Sequence, residues 1–229
     1  MKNGFTLAEV LITLGIIGIV AAMTLPSLLN NTQNKQLETS LKKSYSALGQ
    51  VAQQVFLLDY GGQFPVNDNR NFFTLVNNFS KYYVNAKRCD GKTAINGCPV
   101  YTTNSSEFMR NNYKSYNGKN AGTIANDALS NTVDNTTIFF DYATDIETIH
   151  GQIHIAIDVN GWQKKPNKWG HDIFMFYINN NGKFLPMGDK DSNWPAEQFC
   201  SLTSTSPYNG YGCTIKAINE IDYFKNLPK

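Results

Sequence analysis

The sequence predicts an α+β fold in which a long N-terminal helix, transmembrane in its first half and amphipathic in its second, packs on a small antiparallel β-sheet. Three observations carry that expectation. Residues 5–29 are an apolar run long enough to cross a bilayer. An apolar stripe at steps of three and four then continues to about residue 59. Beyond residue 135 the pattern changes to short β-rich segments with alternating side chains. The boundaries that follow are a leader over 1–4, a transmembrane helix half over 5–29, an amphipathic half over 30–60 and an extracytoplasmic globular domain over 61–229.

At about 1.5 Å of rise per residue, Phe5–Leu29 reaches across a hydrocarbon core of roughly 30 Å. Its second half continues the helix. Leu37, Leu41, Tyr45, Leu48, Ala52, Val55 and Phe56 recur on one face, and Gly61-Gly62 supplies the stop. Pro26 interrupts this helix, and a proline removes a backbone donor and crowds the preceding turn. It predicts a kink or local melting, read either as a bend near the bilayer surface or as a flexible point.

Past the glycines, residues 70–87 predict a short helix with Phe73, Val76, Phe79 and Tyr83 inward. Residues 99–135, rich in Asn, Ser, Thr and Gly, predict loop or irregular structure. Strands follow at 136–143, 151–159 and 171–178, with a short fourth after the Asn181-Gly182 turn signal. In the second, Ile153, Ile155, Ile157 and Val159 alternate with His154, Ala156 and Asp158, so one face is expected to pack inward on the helix.

The chain of 229 residues is 41% hydrophobic and 17% charged, with a net charge of +2. That length suits one good-sized domain or one domain plus an appendage. A charge so near zero argues against an electrostatic nucleic-acid binder, and Lys42-Lys43 and Lys164-Lys165 read as isolated doublets. The four cysteines, Cys89, Cys98, Cys200 and Cys213, suggest disulfides in an exported chain. Proximity favours Cys89–Cys98 and Cys200–Cys213. No CxxC is present for zinc.

One residue in the apolar run looks misplaced. Glu9 stands among Phe5, Leu7, Val10, Leu11 and Ile12, with no other charged side chain before Lys35. A secretory signal with Lys2 in its n-region and Val20-Ala21-Ala22 at its cleavage site does not use a carboxylate there, and neither does a simple anchor. A chain cut after Gly4 does. Phe5 would then carry a new α-amine, with Glu9 one turn in. In an assembly of parallel helices, Glu9 of one subunit reaches the amine of its neighbour, and pairing is what makes both charges tolerable in lipid.

The run Gly4-Phe5-Thr6-Leu7-Ala8-Glu9-Val10-Leu11-Ile12, with Lys2 before it, resembles the cleavage and methylation signature of type IV pilins and type II secretion pseudopilins. The resemblance implies cleavage between Gly4 and Phe5 by a prepilin peptidase, N-methylation of Phe5, and assembly through Glu9. It implies other pilin or pseudopilin subunits, an inner-membrane assembly platform and membrane lipid as partners. The location implied is the inner membrane, single-pass, then a fibre. The function expected is a structural subunit of a type IV pilus or type II secretion-type fibre, not an enzyme. The alternative is a membrane-anchored extracytoplasmic binding or adhesion protein that does not polymerise. No nucleic acid is expected as a partner of the subunit alone.

A second, looser pattern is Asp158, Asn160, Gly161, Pro166, Asn167, Gly170, Asp172 and Phe174, similar to a run in the sheet of some minor pseudopilin-like proteins. Some pseudopilins bind calcium in a loop of their sheet domain. Here Asp158 and Asn160, with Asp172 across the hairpin, would supply hard oxygens. The competing reading is Asx-type turn chemistry. No cofactor other than calcium is suggested. Asp189, Asp191 and Asn193 begin like an EF-hand, but Trp194 and Cys200 stand where Gly and Glu are required. His150, His154 and His171 lie near acidic residues in sequence, and no nucleophile accompanies them; sheet or surface roles are expected. Trp162, Trp169 and Trp194 suit either core or a binding surface.

Overall fold

The computed structural model describes residues 6–62, 69–83, 86–89, 98, 105–123, 128–131, 136–142, 153–179, 181–190 and 192–228. Two compact units divide the chain, Met1–Gln36 and Leu37–Lys229. Helix α1 (Leu7–Gln54) begins in the first and continues into the second.

In the first unit, α1 is helical through Pro26 without a break, so the expected local melting is not seen. The proline removes one donor, while the flanking turns keep their bonds and Thr24 Oγ1 adds a donation to the Val20 carbonyl at 2.9 Å. The large apolar side chains stay uncovered. Leu7 is 79% exposed, and Leu11, Ile12, Ile17 and Leu29 exceed 60%.

In the second unit, α1 buries Leu37, Leu41, Ser44, Leu48, Val51, Ala52 and, beyond its last α turn, Val55. This is the stripe read from the sequence, with Tyr45 and Phe56 packed partly against it. A turn of π-helix over Val55–Asp59 closes the helix. The Gly62 N–H then returns to the Phe56 carbonyl at 2.9 Å, with Gly61 and Gly62 at φ of 59° and 88°. Left-handed residues that cap the last carbonyls are what a glycine pair supplies.

Helix α2 (Asn69–Tyr82) buries Leu75, Val76 and Phe79, and Tyr83 just beyond its end is half-buried. The sheet has six antiparallel strands in chain order: β1 (Lys87–Cys89), β2 (Ala128–Asn131), β3 (Thr137–Tyr142), β4 (Ile153–Asp158), β5 (Ile173–Ile178) and β6 (Phe184–Pro186). The sequence predicts three or four strands. The structure adds β1 and β2, which are three and four residues long. Segments so short carry no readable period. Helix α3 (Ser105–Asn112) also lies in the stretch expected to be irregular.

The larger correction concerns the sheet's faces. Ile138, Phe140, Ile155, Ile157, Phe174, Phe176 and Phe184 join the helical stripe in one core cluster. Tyr45 of α1 stacks on Phe176 there, with ring centroids 5.4 Å apart. The opposite face is buried too. Phe139, Ala156, Ile173 and Met175 pack with Phe108, Met109, Tyr113, Trp169, Met187, Trp194 and Tyr211 in a second cluster. Trp169 and Trp194 are therefore core, and Trp162 packs partly against it. The C-terminal segment contributes α4 (Ala196–Phe199) and α5 (Thr214–Asn219). Disulfides join Cys89 to Cys98 and Cys200 to Cys213.

Candidate functional sites

Gly4 and Phe5 lie outside the described residues. The first described functional side chain is Glu9, in the first turn of α1. Its Oε2 accepts the Thr6 backbone N–H and the Thr6 hydroxyl, both at 2.8 Å. The Glu9 N–H returns to Thr6 Oγ1 at 3.3 Å. This reciprocal pair is a capping box, in which Thr6 stands at the N-cap and Glu9 three residues on. It satisfies donors that the start of a helix otherwise leaves open. The sequence reading gave Glu9 a charge-pairing role and missed this local one, although Thr6-x-x-Glu9 carries the signal.

The second candidate lies where β4 leaves the sheet and β5 re-enters. Asp158 ends β4 fully buried. Its Oδ1 accepts the N–H groups of Asn160 at 3.3 Å and Gly161 at 2.8 Å, and its Oδ2 accepts the Tyr113 hydroxyl at 2.7 Å. Asp172 precedes β5, also fully buried. Its two oxygens accept the N–H groups of Lys168 at 2.8 Å and Asn167 at 2.7 Å. The Asn167 amide donates to the Trp162 carbonyl at 2.7 Å. Gly161, Asn167 and Gly170 hold φ of 84°, 51° and 77°, and Lys165-Pro166 is cis. At Gly170 a Cβ would stand 2.8 Å from Tyr116 and 2.9 Å from Cys213 Sγ. Asp, Asn and Gly are the residues that serve such turns. Each conserves a backbone donor or a left-handed position, and Phe174 fills the core beneath them.

Burial raises both carboxyls. Asp158 is pushed well above the usual carboxylate range by desolvation and then by the Asp172 charge. Asp172 is raised to about 7, chiefly by desolvation, against the opposing N–H donors of Lys168 and Asn167. Tyr113, beside Asp158, is raised as well, again by burial first.

The structure thus brings together Asp158, Asn160 and Asp172, the residues singled out for calcium. All four carboxylate oxygens already accept donors from the chain, while Asn160 Oδ1 and Asn167 Oδ1 are buried without a partner. Among the described residues no group of three or more His, Cys, Asp or Glu is placed to hold a metal.

Among the described residues, His154 and His171 do not converge on a site. His150 lies outside the described residues. His171 donates from Nε2 to the Tyr116 carbonyl at 3.1 Å, and burial lowers it to about 4, so it stays neutral. His154 shares the Asp158 face, as its spacing predicts, and is buried edge-on to Trp194, with Nδ1 3.7 Å from Asp141 Oδ2.

Residues 1–25 match the prokaryotic N-terminal methylation motif. No curated protein and no solved structure matches the chain. With the apolar helix and the sheet domain, the motif supports a pilin-like structural role, and α1 is long and apolar enough to cross a membrane.

Proposed function

We propose that the chain is a pilin or pseudopilin subunit, cut between Gly4 and Phe5 by a prepilin peptidase and methylated on the Phe5 amine. Residues 1–4 are the leader, 5–29 hold the subunit in the inner membrane, and 61–229 form the extracytoplasmic domain. The subunit polymerises through the first half of α1, with Glu9 paired to the Phe5 amine of a neighbour and an inner-membrane platform driving assembly. The observation that carries this reading is the methylation motif over residues 1–25, placed on a helix whose apolar side chains are uncovered up to Leu29. Such a surface needs lipid or other helices around it.

The deciding measurement is the intact mass of the protein from its native host. The expected mature chain starts at Phe5 and carries one added methyl group. A chain starting at Met23 would mean signal peptidase and would sink the proposal.

The capping box favours a second reading. A membrane-anchored binding protein that never polymerises would also gain helix order from Thr6 and Glu9. Recovery of the protein in sheared fibres separates the two.

For Asp158, Asn160 and Asp172 we propose a turn-holding role. The two unpartnered Asn oxygens make calcium the competitor to test. The expected thermal midpoint is the same in calcium and in chelator. A rise of several degrees with calcium would replace this assignment with a metal site.

A further inference from the structure

Asn-Gly pairs recur along the sequence, and the fold treats them differently. Asn3-Gly4 and Asn96-Gly97 lie outside the described residues. Asn117-Gly118, Asn160-Gly161, Asn181-Gly182 and Asn209-Gly210 lie within them. Asparagine before glycine is chemically labile, because the next main-chain nitrogen attacks the side-chain amide and a residue without Cβ does not shield it. The attack needs the side chain free to swing over that nitrogen.

At Asn117, Asn160 and Asn209 the amide is held. Asn117 Nδ2 donates to the Ser204 carbonyl at 2.8 Å and the Leu202 carbonyl at 3.3 Å, and its Oδ1 accepts the Ser115 hydroxyl at 3.0 Å. Asn160 Nδ2 donates to the Lys165 and Lys164 carbonyls at 3.3 and 3.5 Å. Asn209 is fully buried, and its amide clasps Ser201, accepting the N–H at 3.1 Å and donating to the carbonyl at 2.8 Å. Asn181 differs. It is exposed in the turn between β5 and β6, and its side-chain amide has no hydrogen-bond partner among the described residues. Asn179 holds the turn instead. Its Oδ1 accepts the N–H groups of Asn181 at 3.1 Å and Lys183 at 3.0 Å, and its carbonyl accepts the Gly182 N–H at 2.9 Å. That last bond slows an attack by Gly182 but does not set this pair apart. The N–H groups of Gly118, Gly161 and Gly210 are bonded as well, to the Ser115 carbonyl, Asp158 Oδ1 and the Phe199 carbonyl.

We propose that Asn181 is a site of spontaneous deamidation in the folded protein. The Gly182 nitrogen attacks Asn181 Cγ, a C–N bond closes a succinimide ring, and the side-chain nitrogen leaves as ammonia with the proton from Gly182. Water then opens the ring at either carbonyl. One product is aspartate; the other is isoaspartate, whose main chain runs through the former side chain. Isoaspartate inserts a methylene before Gly182, and there is no room for it. Gly182 is buried at a φ of 72°, so close to Phe56 at the end of α1 that a Cβ would overlap the ring. Two residues on, Phe184 stacks on Phe176 with centroids 4.8 Å apart and reaches Tyr45 of α1. The product therefore loosens the β5–β6 hairpin from the helix and sets a carboxylate beside exposed Lys183.

The test ages the full chain in detergent micelles in mildly alkaline buffer, with a parallel sample unfolded in urea, and maps peptides by mass. In urea the four pairs should convert at similar rates, since glycine follows each asparagine. In the folded protein the peptide holding Asn181 should gain the mass of an amide turned acid well before those holding Asn117, Asn160 and Asn209. Its rate should rise with pH, because the attacking nitrogen must lose its proton. Aged wild type should melt below fresh protein, whereas Asn181→Ala aged alongside should melt as it did when fresh. Folded protein in which Asn181 keeps its amide after the urea sample has converted, or in which another of the four pairs converts first, overturns the proposal. A mass gain at Asn181 with an unchanged melt overturns the loosening of the hairpin.

Discussion

Asp158 and Asp172 are buried on adjoining strand ends, tied by the Val159 N–H to the Asp172 carbonyl at 2.8 Å. Two carboxyls held so close out of water cannot both ionise cheaply, and both are raised. The native state then holds a proton that the unfolded chain releases. That stabilisation is fully present below the unfolded value of 3.8 and is lost as pH rises through about 7. The thermal midpoint should be higher near pH 5.5 than near pH 8, with a limit of about 1.4 kcal/mol per pH unit for each proton. Asp172→Asn should flatten that slope, since an amide does not titrate there. A midpoint that climbs with pH in wild type would contradict the assignment.

The Tyr113 hydroxyl donates to this pair, at 2.7 Å from Asp158 Oδ2. Tyr113→Phe keeps the ring in its edge contact with Phe139 and removes only the hydroxyl. It should destabilise by about 1–3 kcal/mol, the cost of leaving a buried acceptor short of a donor. The deficit should widen as pH rises and the carboxylate ionises. Urea unfolding at two pH values measures both effects, and a loss that ignores pH would place the hydroxyl's role in packing alone.

Legibility in the sequence followed the range of the interactions. The α1 stripe was readable because one helical face, from Leu37 to Val55, repeats at a fixed step and ends at two glycines. The β4 alternation was readable, but its outer face was misjudged. His154 and Asp158 look solvent-facing in isolation. They are buried because α3, Tyr113 and Trp194 fold over them from distant parts of the chain. The Asp–Asn–Gly run pointed to the right loop and left turn and metal open, because Asn160 and Asp172 suit either chemistry. Tyr113 escaped because its hydroxyl reaches Asp158 only across the fold, from a distant part of the chain.

The Cys200–Cys213 disulfide closes a loop with a sequence separation of 13, and Cys213 is fully buried beside Gly170. Cys200→Ser/Cys213→Ser should lower stability by roughly 2–4 kcal/mol through the freed unfolded chain. Denaturant titration should show the midpoint moving down. An unchanged midpoint would mean that the hydrogen bonds around Asn209, which tie Ser201 from both its N–H and its carbonyl, already fix this loop.

Glu9 carries two roles that substitution can separate. Its carboxylate caps α1 through Thr6, and in the proposed fibre its charge meets the Phe5 amine of a neighbour. Glutamine retains the capping geometry, because an amide oxygen accepts the Thr6 N–H as well. It lacks the charge. Alanine lacks both. Membrane insertion should survive either change, since each removes a group that lipid disfavours. Fibre incorporation should fall sharply in Glu9→Gln as well as in Glu9→Ala, because a buried ammonium without its partner is strongly unfavourable in either variant. Membrane fractionation reads the first step, and recovery in sheared fibres or crosslinked multimers reads the second. If Glu9→Gln assembles like wild type while Glu9→Ala fails, the capping box is the residue's whole function. Assembly in both variants would leave the anchored, non-polymerising protein as the better account of the chain.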